Sequence, residues 1–177
     1  MRDANEINVR LIQAIHYICD FAEKNDFVLG SIRLQKILFH VDREFYSKYF
    51  KAFTQDTYIK GQNGPYQEDV QRAVKQLQAE RVLSVKKTKH YGNPLTKYSS
   101  KKPPADDAFT SEERSLLDRW TGEICEEHTS AGISEATHNA AWRMAQMKEP
   151  IPLAAQMMGN PYPPTRKDWE WAEKASL

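Results

Sequence analysis

The feature that most constrains this 177-residue chain is the stretch from Ser31 to Glu80, where two periodic apolar patterns flank a polar segment closed by Gly64-Pro65. In the first pattern Leu34, Ile37, Leu38, Val41 and Phe45 recur at three- and four-residue spacing, which gathers them on one stripe of a helix facing a core. Val70, Ala73, Val74 and Leu77 do the same over a shorter length, ending near Glu80. Between the two, Thr57-Tyr58-Ile59 is a short β-prone run, and Gly61, Gly64 and Pro65 force a turn before the second helix. A Gly-Pro pair ahead of a helix has to turn sharply, so Gly64 is expected at positive φ or pressed against another element.

Around this centre the remaining patterns are mostly helical. Asn5 to Lys24 carries Val9, Ile12, Ile15, Cys19 and Ala22 on one stripe, a buried helix of about five turns. Ser31 is the expected N-cap of the next helix, whose end is crowded by Phe45, Tyr46, Tyr49, Phe50 and Phe53. Those aromatics read either as core or as an exposed partner-binding patch. Residues 82–99 pattern as a strand, a turn and a returning strand, so the order helix then hairpin is winged-helix-like. Lys101 to Ala108 breaks all periodicity as a linker, and Thr110 answered by Glu113 forms a capping box ahead of Leu116, Leu117, Trp120 and Ile124. Ser134 is the expected N-cap of a further short helix, with Trp142 one turn after His138. Pro150-Ile151-Pro152 then ends the pattern. The expected fold is mainly α, a single compact helical domain over 1–155 with a small β-hairpin, its C-terminal helices 110–155 packed back on the rest, followed by a Pro-rich tail over 156–177.

Composition bounds the class. Hydrophobic residues at 40% and aromatic ones at 11% suit a chain that builds its own core. Cys19 and Cys125 fall within helical patterns and form no Cys-x-x-Cys, and the N-terminus lacks the apolar region of a secretory signal. No apolar run approaches the roughly 18 residues of a membrane span. A cytoplasmic protein with no membrane partner is expected. Net charge is only +1, but it is unevenly spread: Arg81, Lys86, Lys87, Lys89, Lys97, Lys101 and Lys102 occupy residues 81–105 with no acid among them, whereas residues 106–149 are strongly acidic. Such a dipolar chain favours oriented docking with a charged partner.

No constellation of catalytic residues stands out, and neither enzyme activity nor a cofactor is expected. Cys125 and His128 sit on one helical face, with His138 and Glu126 or Glu127 elsewhere, but further ligands at matching spacing are missing for a metal. A Cys-His nucleophilic pair lacks an orienting third group and an oxyanion hole. The lysines of the hairpin, interleaved with His90, Tyr91 and Tyr98, read as edge protection or as contacts to a phosphate backbone. Lysine without arginine supplies charge but little base readout.

Arg33-Leu34-Gln35-Lys36-Ile37-Leu38-Phe39, then Gly64-Pro65, then Ser134-Glu135-Ala136-Thr137-His138 with Trp142, resemble in order the motifs of the Panacea domain, the SocA-like antitoxin family. Arg33 and Phe39 depart from the usual Lys and Tyr, the second removing a phenol hydroxyl. The resemblance spans roughly residues 7 to 155. It implies an antitoxin that neutralises a cognate toxin by direct contact, in one type as an adaptor that delivers the toxin to a protease. Gln35, Gly64, Pro65, Ser134, Thr137, His138 and Trp142 are then family-motif positions of structural weight, His138 holding the C-terminal helix against the Gly64-Pro65 turn. Lys36, Tyr46, Tyr49, Tyr66, Lys86, Lys87 and Lys89 are the candidate partner contacts. A nucleic-acid-binding autoregulator is the alternative, with DNA a less favoured partner.

Overall fold

A computed structural model describes residues 7–90 and 92–157. Helix α1 (Val9–Lys24) starts later than its apolar pattern suggests, because Asn8 caps it by accepting from the Arg10 backbone N–H at 2.9 Å. Its stripe of Leu11, Ala14, Ile15, Ile18, Cys19 and Ala22 is buried. Helix α2 (Ser31–Tyr49) is capped by the extended Gly30, not by Ser31, which is already its first helical residue. The Gly30 position lies close against the end of the Leu95 side chain. With glycine at the cap, no side-chain cap bond forms.

The polar segment after α2 holds more structure than its sequence suggests. Strands β1 (Tyr58–Gly61) and β2 (Gly64–Tyr66) form an antiparallel hairpin, with Gly61 paired to Gly64 across the two-residue loop Gln62-Asn63. Gly64-Pro65 thus opens a strand, not a turn before a helix. Helix α3 (Asp69–Ala79) follows, burying Val70, Ala73, Val74 and Leu77, and then the longer hairpin of β3 (Leu83–His90) and β4 (Asn93–Ser100). Helix α4 (Ser111–Glu127) begins at the expected capping box: Thr110 accepts from the Glu113 N–H while the Glu113 carboxylate accepts from the Thr110 N–H.

Beyond α4 come two short helices, α5 (Ser130–Ala136) and α6 (Ala140–Met144), then β5 (Pro150–Ile151) and α7 (Leu153–Gln156). Thr129 caps α5 and Asn139 caps α6, so Ser134 is an interior helical residue whose hydroxyl donates to Ser130 O. The proline pair at 150–152 does not merely end a helix. It brings Pro150-Ile151 alongside β1 as a third antiparallel strand, giving the order β2-β1-β5. The fold is mainly α, with seven helices and two small antiparallel sheets among the described residues. One apolar cluster runs through α1, α2, α3, the base of the longer hairpin and α4, from Leu11 and Leu34 through Val74 and Tyr98 to Leu117 and Ile124. The C-terminal helices thus pack back on the first ones. No helix among the described residues is long and apolar enough to cross a membrane. The Pro-rich tail expected over 156–177 lies, from residue 158 on, outside the described residues.

Candidate functional site

Helix α2 turns its motif side chains inward onto the backbone of the β1–β2 hairpin. Gln35 makes both bonds an amide can make to one residue: Nε2 donates to Gln67 O at 2.9 Å and Oε1 accepts from Gln67 N at 3.0 Å. The next residue, Lys36, is 1% exposed, and its Nζ donates to Pro65 O at 3.1 Å. Burial pulls the Lys36 ammonium down to about 7. A lysine on the polar flank of the helix, free to touch a partner, is therefore not what forms. Its four-carbon stem fills the core, and Lys36 is withdrawn from the candidate contacts.

Gly64 is where these elements meet. Its φ of +98° is a conformation that side chains rarely adopt, and a Cβ there would fall on both Lys36 Nζ and Thr137 Oγ1. Thr137, buried at the end of α5, donates its hydroxyl to Ser134 O at 2.7 Å. It is therefore Thr137, and not His138, that seats α5 against the Gly64-Pro65 strand. His138 instead stacks on Trp142, with centroids 3.7 Å apart and planes 8° from parallel. Its Nε2 is buried without a hydrogen-bond partner among the described residues. Burial, with Lys36 nearby, lowers the His138 pKa. Trp142 Nε1 donates to Gly61 O at 3.0 Å, and Lys60 Nζ lies 4.3 Å from the Trp142 ring while donating to Ala145 O at 2.9 Å. Trp142 is only partly buried.

A second polar knot was missed in the sequence. Asp42, fully buried, accepts from Thr54 N at 2.8 Å, Thr54 Oγ1 at 2.6 Å, Tyr58 OH at 2.7 Å and Gln67 Nε2 at 3.2 Å. Desolvation raises its carboxyl to about 6 although these donors pull the other way. The signal was present: Asp42 lies four residues after Leu38 on the apolar stripe, and an acid there must be bonded. His40, on the same helix, lies against Trp120 with ring centroids 4.5 Å apart and planes tilted by 31°, and burial lowers its pKa to about 3. Cys125 is pushed up to about 11 by burial, and Cys19 is pushed up strongly for the same reason. The metal-type set of Cys125, His128 and His138 does not assemble. Among the described residues Glu123, Glu127 and His128 come together instead.

Next to the motif residues a cleft of about 920 Å³ opens between the start of α2, the start of β4 and α5. Arg33, Asn63, Thr96, Ser134, Glu135 and His138 are among its walls. Arg33 is fixed there by donating to Val28 O at 2.7 Å and His128 O at 3.0 Å. Strand β4 reaches the cleft because Tyr98 N donates to Leu29 O at 3.0 Å, beside the Gly30–Lys97 bridge. In the hairpin register Lys86 faces Lys97, Lys87 faces Thr96 and Lys89 faces Pro94. Lys86, Lys87 and Lys89 are exposed, and no carboxylate among the described residues pairs with them. Directly opposed like charges such as Lys86 and Lys97 cost a hairpin stability. Tyr98 is buried and unavailable for stacking.

The candidate contacts do not form one patch. Lys86, Lys87 and Lys89 project from the hairpin that meets the start of α2, whereas Tyr46 and Tyr49 lie at its far end, about 28 Å away along a 19-residue helix. Tyr66, partly buried, lies in β2 with its ring against Gly61. Of the crowded aromatics Phe53 is core, while Tyr49 and Phe50 are exposed.

The motif latch defines the class: a mainly helical scaffold in which side chains of one helix clamp the backbone of a small sheet, and a second helix closes over the same glycine. Residues 34–143 match the family described as antitoxin SocA-like, Panacea domain, and the chain belongs to that family. Comparison with curated proteins and with solved structures gave no match.

Proposed function

We propose that the protein is an antitoxin that neutralises a cognate toxin by direct contact, using the basic wing of β3 and β4 and the cleft beside it. The single observation that carries this reading beyond the family is the set of exposed lysines without carboxylate partners among the described residues, with Lys86 facing Lys97 across the hairpin at a cost to folding. An acidic face on a partner neutralises such charge while steering the encounter. The cleft adds shape: its walls include Arg33, Ser134 and His138, so a partner seated there touches the elements that flank the Gly64 contact. The protein acts as a binder, not a catalyst. Both thiols are held protonated by burial, which suits packing and not nucleophilic attack.

The test is co-expression. The small reading frame beside the gene should arrest growth when expressed alone, be rescued by this protein, and co-purify with it. Rescue without complex formation, or no toxic neighbour, would contradict the reading. Toxin half-life then separates two routes: occlusion leaves it unchanged, whereas delivery to a protease shortens it.

A nucleic-acid-binding role is the second reading, favoured by the succession of α3 and a lysine-rich hairpin, the order of a winged helix. It predicts a gel shift on the gene's own promoter that weakens steeply with salt. No shift at low salt disposes of it.

A further inference from the structure

The proposed toxin surface leaves the far end of α2 unused, and that end carries an unusual residue. Phe50 closes the helix in the left-handed region, at φ 54° and ψ 27°, with 80% of its surface exposed. Helices normally place glycine or asparagine in this conformation, and a bulky side chain there is strained. Burial gives nothing back at such exposure. The ring meets only the edge of Tyr46, at 6.2 Å, as far as the aromatic contacts of the described residues go. Strain held by an exposed aromatic points to a contact outside the chain.

Beside this knob is a recess of about 170 Å³ between α2 and α4, floored by Phe45 and Leu116 and flanked by Tyr49. Its rim is tied by the ion pairs Lys48–Glu112 at 2.9 Å and Arg119–Glu44 at 2.5 Å. We propose that this end of the protein is a self-association surface, on which Phe50 of one copy fills the Phe45–Leu116 recess of a second copy and receives the same in return.

Three observations favour a second copy over other occupants. The recess has about the size of the roughly 150 Å³ apolar cavity known to accept benzene, so a phenyl ring fits. Knob and recess share one patch, so a two-fold axis satisfies both at once and the pair closes, whereas a knob far from its recess would build open chains. The rim carries three carboxylates and two cations, and each carboxylate is already paired, Glu112 with Lys48, Glu44 with Arg119 and Glu113 with Arg10, so two identical faces meet without strong repulsion. The lysine wing could not do this. The two surfaces lie at opposite ends of α2, so this proposal and the toxin-binding reading stand or fall separately.

Sedimentation velocity of the full chain, from micromolar to near-millimolar concentration, tests it. Wild type should pass from monomer to dimer across that range, and Phe50→Glu should stay monomeric. Phe50→Gly should weaken dimerisation by about tenfold or more, as loss of an aromatic hot spot does. At a concentration where both are monomeric, Phe50→Gly should also melt above wild type, because glycine relieves the left-handed strain. The triple variant Lys86→Glu, Lys87→Glu, Lys89→Glu should dimerise as wild type does. A wild type that stays monomeric throughout overturns the proposal and gives the patch to a different partner. A Phe50→Glu protein that still dimerises, or a Phe50→Gly protein that melts lower, overturns it as well.

Discussion

Gln35 supplies both hydrogen-bonding partners that the backbone of Gln67 needs, its amide acting as a one-residue strand laid beside the end of β2. The pair is buried, so water cannot replace either bond. This joins the central helix to the small sheet and explains why an amide follows a leucine in the α2 motif.

Replacing Gln35 by Met keeps the volume and removes both bonds. With a buried N–H and a buried C=O left unpaired, the protein should lose about 2 kcal/mol or more. Urea unfolding checks this through a lower midpoint at unchanged slope. A loss within error would mean that the Gln67 backbone finds other partners.

Gly64→Ala should destabilise by about 1 kcal/mol or more, from the positive φ alone. Because a Cβ also falls on Thr137, combining Gly64→Ala with Thr137→Ala should cost less than the sum of the two. A double-mutant cycle reads the coupling, and strict additivity would show that the collision is relieved elsewhere.

Lys36 makes stability depend on pH. Its folded pKa, about 7, lies below the 10.5 of an ordinary lysine, so the unfolded chain holds the proton more strongly between those values. The penalty of a buried ammonium is fully present below pH 7 and fades as pH rises towards 10.5. Stability from this group should therefore climb between pH 7 and 9, by an amount on the order of 1 to 3 kcal/mol. Lys36→Met should remove the climb whatever it does to stability at pH 7. On the acid side Asp42 and His40 oppose one another: relief of the Asp42 penalty favours folding as pH falls from about 6, while His40, held neutral down to about 3, disfavours it from 6.5 downwards. The alkaline limb is cleaner near its start, between pH 7 and 8, because closer to pH 9 the thiols of Cys19 and Cys125, held protonated in the fold by burial, oppose the climb.

Trp142→Ala should cost about 2 kcal/mol, through the bond to Gly61 O, the His138 stack and the Lys60 contact. Full burial would have implied about 3 kcal/mol or more, and the partial exposure lowers that figure. Trp142→Phe keeps the stack and should lose only about 1 kcal/mol. Thermal denaturation of the two variants side by side distinguishes these contributions.

The helices with long apolar stripes, α1, α2, α3 and α4, were legible in the sequence because period 3.6 needs only local information, and the Thr110–Glu113 box marked its helix start. The positive φ of Gly64 was expected, although of a turn before a helix, whereas it opens strand β2. What was hidden depends on distant pairing. Strand β5 exists only because β1 lies beside it, and the isolated bridge of Gly30 to Lys97 holds residue 30 extended, so that it and not Ser31 is the cap. At the site, Lys36 read as a partner contact because no sequence rule says that a proline carbonyl awaits it in the core. Thr137 and His138 are neighbours, and only the position of Gly64 decides that the hydroxyl, not the ring, makes the contact. Asp42 could have been suspected from its place on an apolar stripe.

The basic wing is the centre of the functional account, and its test is the rate at which the protein associates with the toxin from the adjacent reading frame. Stopped-flow association should be compared at low and high salt for wild type and for the triple variant Lys86→Glu, Lys87→Glu, Lys89→Glu. The account predicts that the variant melts as wild type does or slightly higher, since the lysines are exposed and have no carboxylate partner among the described residues. It should associate at least about tenfold more slowly at low salt, with the difference shrinking as salt rises. Association at the wild-type rate and salt dependence would contradict the account and move the toxin surface to another face, the acidic helix α4 first.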